Sequence, residues 1–467
     1  MDMELKGRKV VVLGLGDTGL SMTRWLARHG ADVRVADSRA EPPHAARLAR
    51  ELPRVALATG VFDDGTLRGA DLVAISPGLD RREAPIARAI ERGVPVVGDI
   101  ELFAQALKSL IPHSSSHIPP KVLAVTGTNG KSTVTAMTGE VCRAAGRETV
   151  VAGNIGTPVL DALGAIEGGV AAPEVFVLEL SSFQLESTAS LEPAAAAMLN
   201  LGEDHLDRYD SIANYAAAKS RVFAGDGVQI LNRDDRWSMG MARTGRTLFT
   251  FGGGQPRSET EWGMGATRGV AVLARGSRQL MAVSEMPLAG LHNAANALAA
   301  HALGHAIGVP DDALARALRS FRGLPHRMQK VTELKGVVFF DDSKGTNVGA
   351  TVAALAGLRQ PVVLIAGGDG KGQDFSPLAP AVKAHARAVI LIGRDAEQLA
   401  RAIAASGVPV ERAAGMDAAV QAAFRASRAG DAVLLSPACA SYDMFRNYVH
   451  RAEAFVAAVR RLAGSEG

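Results

Sequence analysis

The residues best equipped for chemistry form one short segment, Gly127-Thr128-Asn129-Gly130-Lys131-Ser132-Thr133. It follows the apolar run Val122–Val125 and precedes a stretch, Val134 to Ala145, that reads as a helix. Glycines let backbone N–H groups turn inward, and a helix N-terminus adds a positive field, so the segment suits phosphate oxygens. Lys131 can neutralise β- and γ-phosphates and Ser132 can offer a hydroxyl to Mg²⁺. The common P-loop has a glycine six positions before its lysine. Val125 stands there instead, so a plain glycine turn with a surface lysine remains open.

A second glycine loop, Gly14-Leu15-Gly16-Asp17-Thr18-Gly19, follows Val10–Leu13, and Asp37 closes the next apolar run. This fits the dinucleotide fingerprint with its ribose-binding acid. Such a loop selects a pyrophosphate rather than nicotinamide, so a dehydrogenase, another nucleotide diphosphate site and a packing turn all fit. Glu179 ends an apolar run, a place from which a carboxylate can hold Mg²⁺, although capping or ion pairing would also explain a lone glutamate. His205 lies in the acidic cluster Asn200 to Asp207. Lys219, read by itself, is a solvated helix lysine. Further on, His326-Arg327 precedes three polar loops, Asp341–Asn347, Gly367–Gly372 and Ser436–Ser441, each directly after an apolar run. Three such loops at the strand ends of one sheet make a cleft whose lysines, arginine and hydroxyls suit a substrate carboxylate.

These groups need a scaffold, and the sequence alternates short apolar runs with helical stretches throughout. Val10–Leu13, Ala31–Ala36, Leu72–Ile75, Glu174–Leu180, Ala195–Asn200, Val337–Phe340, Val362–Ile365, Ala388–Ile392 and Ala432–Leu435 read as buried parallel strands. Helices are expected at Ser21–His29, Ala84–Arg92 and His292–Ile307, the last stopped by Gly308 and Pro310. Gly240 to Gly276 reads as short strands and loops. Ile111 to Pro120, rich in Ser and Pro, reads as a linker, and Phe321–Pro325 as a second boundary. The expected fold is α/β with three domains in series: a Rossmann-like domain over 1–113, a P-loop ATPase-type domain over 114–322 and a Rossmann-like domain over 323–467.

Composition narrows the function. The 467 residues carry 51 Lys+Arg against 48 Asp+Glu, scattered rather than clustered, and only 4% aromatics, so nucleic-acid and membrane surfaces are disfavoured. Cys142 and Cys439 lie far apart without metal-ligand spacing and read as reduced packing thiols. No signal peptide and no bilayer-length stretch is evident, which makes a cytoplasmic protein the expectation.

Taken together, the motifs resemble the Mur ligases of peptidoglycan synthesis. The resemblance runs from Gly14 to Tyr448 and rests on T-G-T-N-G-K-S-T at 126–133, G-N-I-G at 153–156, L-E-L-S-S-F-Q-L at 178–185, E-D-H-L-D-R-Y at 203–209 and Y-x-x-A-K at 215–219. It continues with H-N-A-A-N at 292–296, H-R at 326–327, D-S-K-G-T-N at 342–347, G-G-D-G-K-G at 367–372 and S-P-A-C-A-S at 436–441. The family uses the shortened P-loop. The D-N-P-R signature of its diamino-acid branch is absent, and Asp342–Asn347 points to the branch that adds D-glutamate.

The resemblance implies an ATP-dependent amide ligase with Mg²⁺, acting on UDP-N-acetylmuramoyl-L-alanine and D-glutamate as a monomer. It implies ATP contacts from Gly127, Thr128, Asn129, Gly130, Lys131, Ser132, Thr133, Asn293, Asn296, Arg327 and Asp342. Asp17, Thr18, Asp37, Ser38, Arg39, Ser76, Asn154 and His205 would contact the UDP substrate. Lys344, Thr346, Lys371, Ser441 and Tyr448 would serve D-glutamate. Ser132 and Glu179 would hold one Mg²⁺ and His205 a second, supported by Lys219 as an N-carboxylated lysine; Lys131, His205 and Lys219 would be the catalytic set. A dehydrogenase leaves Gly127–Thr133 and the third domain unexplained, and a nucleotide switch predicts ATP binding without amino-acid-dependent phosphate release.

Overall fold

The computed structural model describes residues 4–110, 119–288 and 290–466, so most of the expected linker, 111–118, lies outside the described residues. Three sheets follow one another along the chain. The first holds β1 (Lys9–Leu13), β2 (Asp32–Asp37), β3 (Ala56–Thr59), β4 (Leu72–Ile75) and β5 (Val96–Val97) in the order β3-β2-β1-β4-β5, all parallel. Val10 to Leu13 are at most 1% exposed. A central parallel strand is covered by helices on both faces, so an unbroken apolar run is what it requires.

The second sheet holds β6 (Lys121–Thr126), β7 (Thr149–Gly153), β8 (Val175–Glu179), β9 (Ala195–Met198), β10 (Val228–Asn232), β11 (Leu248–Phe251), β12 (Glu261–Thr267), β13 (Val270–Arg275) and β14 (Arg278–Ala282). Its order is β14-β13-β12-β11-β10-β9-β6-β8-β7. The third holds β15 (Gln329–Leu334), β16 (Val337–Asp341), β17 (Val362–Gly367), β18 (Ala386–Ile392), β19 (Val410–Arg412) and β20 (Ala432–Leu435), ordered β15-β16-β20-β17-β18-β19.

The expectation of parallel pairing needs correction at two edges. β12 to β14 form an antiparallel meander, and β15 runs antiparallel to β16. Two of the three hairpins, β12–β13 and β15–β16, are two-residue turns with positive φ at each position, Arg268-Gly269 (51° and 80°) and Lys335-Gly336 (48° and 77°). That geometry matches the right-handed twist of the flanking strands.

Packing separates the sheets unequally. One buried cluster runs from Trp25, Leu72 and Phe103 through Phe176, Leu178 and Tyr215, joining the first sheet to the second. Phe103 and Phe176 meet edge to face at 5.1 Å across that seam. Polar contacts reinforce it: Glu101 Oε2 accepts the N–H groups of Ala189 (2.6 Å) and Ser190 (2.9 Å), Gln184 donates to Asp99 at 3.1 Å, and Trp25 Nε1 donates to Glu167 at 3.1 Å. The third sheet instead has apolar clusters of its own on its two faces. Among the described residues no helix is long and apolar enough to cross a membrane.

Candidate functional site

The phosphate loop leaves β6 and enters the helix Lys131–Ala144, one turn earlier than the apolar pattern suggested. Gly127 and Gly130 have φ of 150° and 87°. A Cβ at Gly130 would lie 2.6 Å from Asn296 Oδ1, so a side chain is excluded both by the backbone and by the neighbour. Lys131 Nζ donates to the carbonyls of Gly127 (3.0 Å) and Thr128 (2.9 Å). Burial lowers its pKa.

Lys219 overturns the solvated-lysine reading. It lies on the helix Ile212–Ser220, capped by Ser211, and is 1% exposed. Its Nζ donates to the same Gly127 carbonyl at 2.8 Å and sits 4.6 Å from the Tyr215 ring centroid. Burial, with the Lys131 charge adding to it, holds its pKa well below the usual lysine range. Glu179, at the end of β8 beside β6, is 2% exposed. One carboxylate oxygen accepts Asn154 Nδ2 at 3.1 Å, and the other has no hydrogen-bond partner. An unpaired buried carboxylate oxygen is costly unless a cation or proton meets it. Among the described residues no three His, Cys, Asp or Glu side chains converge as a ready metal site. A divalent ion here would therefore draw on Glu179, the Ser132 hydroxyl and ligand oxygens, which is the hard-oxygen set that Mg²⁺ prefers.

His205 has φ 58° and packs edge to face on Phe183 at 4.7 Å. Burial pushes its pKa down to about 4, leaving a neutral imidazole at pH 7. His205, His326, Met328, Lys371 and Ala438 account for five of the seven non-glycine residues with positive φ among the described residues. Backbone strain thus gathers in the polar loops that the motifs mark and in the segment around Arg327.

Three loops of the third sheet arrive at adjacent strand ends, after β16, β17 and β20, as the sequence suggested. Arg327 Nη2 donates to Ser132 Oγ at 2.8 Å, and the amides of Asn129 and Asn347 bond reciprocally at 3.2 and 3.0 Å. Lys371 Nζ reaches Asp204 Oδ1 at 2.5 Å. Asp342 is buried and accepts from Ser436 at 2.8 Å; burial raises its pKa to about 7. Lys344 Nζ stands 3.8 Å over the Tyr448 ring, and burial lowers its pKa to about 8. Arg451, which sequence reasoning missed, is 1% exposed and donates to Ser343 and to the Cys439 carbonyl, tying two of the three loops together. Ser441 is buried at the end of the third loop and Thr346 is half-buried in the first.

Between the second and third sheets lies a cleft of about 1600 Å³. Asn129, Gly130, Thr133, Asn293, Asn296, Arg327 and Asp342, all expected on the nucleotide, line it, and so does Lys344, expected on the amino-acid side. Apolar walls come from Met286, Leu288, Met328 and Phe340, none of which a motif marks.

At the first sheet, Asp37 is turned inward. Its carboxylate accepts Leu15 N–H at 2.6 Å and three N–H groups of Arg39 at 2.6–2.9 Å, which hold its pKa at about 2 against burial. Arg39 and Ser38 are exposed beside it, Asp17 is exposed against His44, and Ser76 Oγ donates to the Gly14 carbonyl at 3.1 Å. The acid therefore shapes the loop and orients Arg39.

Comparisons with known proteins agree with this geometry. Family models match in sequence order: the Mur ligase MurD-like N-terminal domain over residues 8–98, the Mur ligase middle domain over 125–304 and the Mur ligase glutamate ligase domain over 326–439. The chain is 57% identical to a UDP-N-acetylmuramoylalanine–D-glutamate ligase of Thiobacillus denitrificans, covering 99% of this chain and 98% of that one. It is 55% identical to the protein of that name from Methylobacillus flagellatus, covering 99% of each. Among solved structures, the UDP-N-acetylmuramate–alanine ligase of Thermotoga maritima aligns with a TM-score of 0.61 at 20% identity over 98% of this chain and 99% of that one. The MurF ligase of Thermotoga maritima in complex with ADP aligns at 0.61 and 16% identity over the whole of both chains. A shortened phosphate loop, a buried lysine and glutamate beside it, and full-length relatives at this identity lead to one conclusion: the chain belongs to the Mur ligase family.

Proposed function

We propose that this protein joins D-glutamate to UDP-N-acetylmuramoyl-L-alanine at the expense of ATP, a step of peptidoglycan precursor synthesis. The observation that carries the reading is the meeting of Lys131 and Lys219 on the Gly127 carbonyl, with the unpaired oxygen of Glu179 at the neighbouring strand end. A buried site with two amines and one unpaired carboxylate oxygen suits transfer of a phosphoryl group to a carboxylate.

In that reaction the L-alanyl carboxylate attacks the γ-phosphorus and the bond to ADP breaks, giving an acyl phosphate. Lys131 leaves its own loop carbonyls for the phosphate oxygens, and the amides of Gly127 to Thr133 cradle them. The amine of D-glutamate then attacks the acyl carbon, the tetrahedral intermediate expels phosphate, and the amine proton departs. Asn293, Asn296, Arg327 and Asp342 bind the nucleotide in the cleft. Arg39, with Asp17, Thr18, Ser38 and Ser76 and with Asp37 behind it, takes the UDP moiety, and Asn154 and His205 meet the substrate further along. Lys344, Thr346, Lys371, Ser441 and Tyr448 take the D-glutamate carboxylates.

Mg²⁺ would be held by Ser132 and Glu179, and a second ion by His205 and Lys219; when bound it neutralises charge on the transferring phosphoryl group. For Lys219 to serve, its amine must become a carbamate. A neutral amine attacks CO₂, the N–C bond forms and a proton is lost, and the burial of Lys219, which lowers its pKa, acts in that direction. Domain limits at 113/114 and 322/323 agree with three sheets that share no strand. A cytoplasmic monomer agrees with cytosolic substrates and a site built from one chain.

The test is phosphate release with UDP-N-acetylmuramoyl-L-alanine, ATP and a panel of amino acids. D-glutamate is expected to support turnover while L-glutamate, L-alanine and diamino acids do not. No release with D-glutamate would refute the assignment.

A further inference from the structure

Two loops of the third sheet end on one carboxylate of the second. Lys371, in the loop after β17, places Nζ 2.5 Å from Asp204 Oδ1, and Asn347, in the loop after β16, directs Nδ2 to Asp204 Oδ2 at 3.4 Å. Asn347 also caps the helix Val348–Gly357 by accepting Ala350 N–H, and it pairs with Asn129 of the phosphate loop. Asp204 is fixed in turn, because its Oδ1 accepts the N–H of His205 at 3.0 Å. Apart from Arg327 on Ser132, these are the polar side-chain contacts described above that join the two sheets. The third sheet has its own apolar cores, so polar contacts of this kind decide how it sits on the second.

We infer that Asp204 is a positioning residue that couples closure of the C-terminal domain to the aiming of Lys371 at the incoming amino acid. Lys371 has φ 53°, a backbone state uncommon for a residue other than glycine, and its side chain reaches from the loop after β17 to Asp204 beside the second sheet. A free lysine side chain samples many rotamers, and pairing to a fixed carboxylate removes that freedom before substrate arrives. Because the carboxylate and the ammonium belong to different domains, the aim exists only when the domains are together. Lys371 retains unused N–H donors after meeting Asp204, so it can bind a substrate carboxylate without leaving its anchor. The inference rests on the reading of Lys371 as a D-glutamate ligand.

The test uses full-length enzyme carrying Asp204→Asn, an isosteric change. The expected result is a KM for D-glutamate raised at least tenfold, a KM for ATP within twofold of wild type, and a larger radius of gyration by small-angle X-ray scattering without ligands. An unchanged KM for D-glutamate, or equal changes in both KM values, overturns the inference. The exchange Asp204→Lys with Lys371→Asp keeps the pair with reversed polarity, and it is expected to restore the wild-type radius while turnover stays lost; a radius as large as that of Asp204→Asn overturns the inference. Lys371→Met separates the two readings. If it leaves the KM for D-glutamate unchanged, the reading of Lys371 falls and the inference with it. If it raises that KM while Asp204→Asn does not, the inference alone falls.

Discussion

The indole N–H of Trp262 donates to Nδ1 of His301 at 2.5 Å, deep beneath the β12–β14 meander. An indole N–H can only donate, so Nδ1 carries no proton and the imidazole is held as its Nε2–H tautomer. That nitrogen lies 3.0 Å from Asp311 Oδ1, and Arg275 and Arg278 lie on the same carboxylate. The chain of contacts fixes the helix Leu291–Ala306, whose first turns carry Asn293 and Asn296 into the cleft.

Trp262→Phe removes the donor and leaves His301 Nδ1 buried without a partner. The expected loss is about 1–3 kcal/mol of stability, read as a lower Tm, with little change in the KM for D-glutamate. Burial lowers the pKa of His301, and His301 with the arginines lowers that of Asp311. Both unfolded-state values lie higher, so the unfolded chain binds more protons and stability falls as pH drops below about 6.5. Chemical denaturation at pH 7.5 and 5.5 checks this; equal stability at both would contradict it.

Lys131→Ala is expected to reduce ATP-dependent phosphate release by at least ~10²–10³-fold, the range for removing a group aimed at developing charge. Glu179→Gln keeps the hydrogen bond to Asn154 but loses the free anionic oxygen, and it is expected to weaken Mg²⁺ dependence rather than folding. Initial rates across a Mg²⁺ titration distinguish the two variants.

Lys219→Ala is expected to be nearly inactive and partly restored by short carboxylic acids, which supply the missing carboxylate. Full activity without added acid would return Lys219 to a packing role. A ¹³C carbamate resonance on wild-type protein supplied with labelled bicarbonate, absent from Lys219→Ala, gives a readout independent of turnover.

Asp99 provides the opposite pH sign. It is buried at the seam between the first two sheets, and burial raises its pKa to about 6. Its contribution to stability is therefore full below the unfolded value near 4 and lost as pH rises through about 6. Asp99→Asn keeps an acceptor for Gln184 and is expected to stabilise the protein by up to ~3 kcal/mol at pH 8, with roughly half that gain at pH 5. A gain that does not shrink on acidification would assign the effect to something other than this carboxyl.

Much of this was legible in the sequence, for identifiable reasons. β1, β6, β8 and β17 are covered on both faces, so their unbroken apolar runs announce them, and the loops that follow must sit at strand ends. The β12–β13 and β15–β16 hairpins were not visible because Arg268-Gly269 and Lys335-Gly336 place a long cation where asparagine or aspartate usually marks such a turn. β7 and β10 escaped because each is only five residues long, and in β10 Gln229 interrupts the apolar run. The motifs named Lys219 and Asp204's neighbour His205, yet neither the burial of Lys219 nor the Asp204–Lys371 pair can be read from local spacing, since the partners are 92 and 167 residues apart.

The buried cluster shared by the first two sheets ties them together, whereas the two apolar clusters of the third sheet hold no residue of the second.

The Gly127 carbonyl accepts from both Lys131 (3.0 Å) and Lys219 (2.8 Å), and burial lowers the pKa of each. A ligand held by the folded loop and not by the unfolded chain adds to stability by mass action, so occupancy of this loop and resistance to unfolding are two readings of one equilibrium.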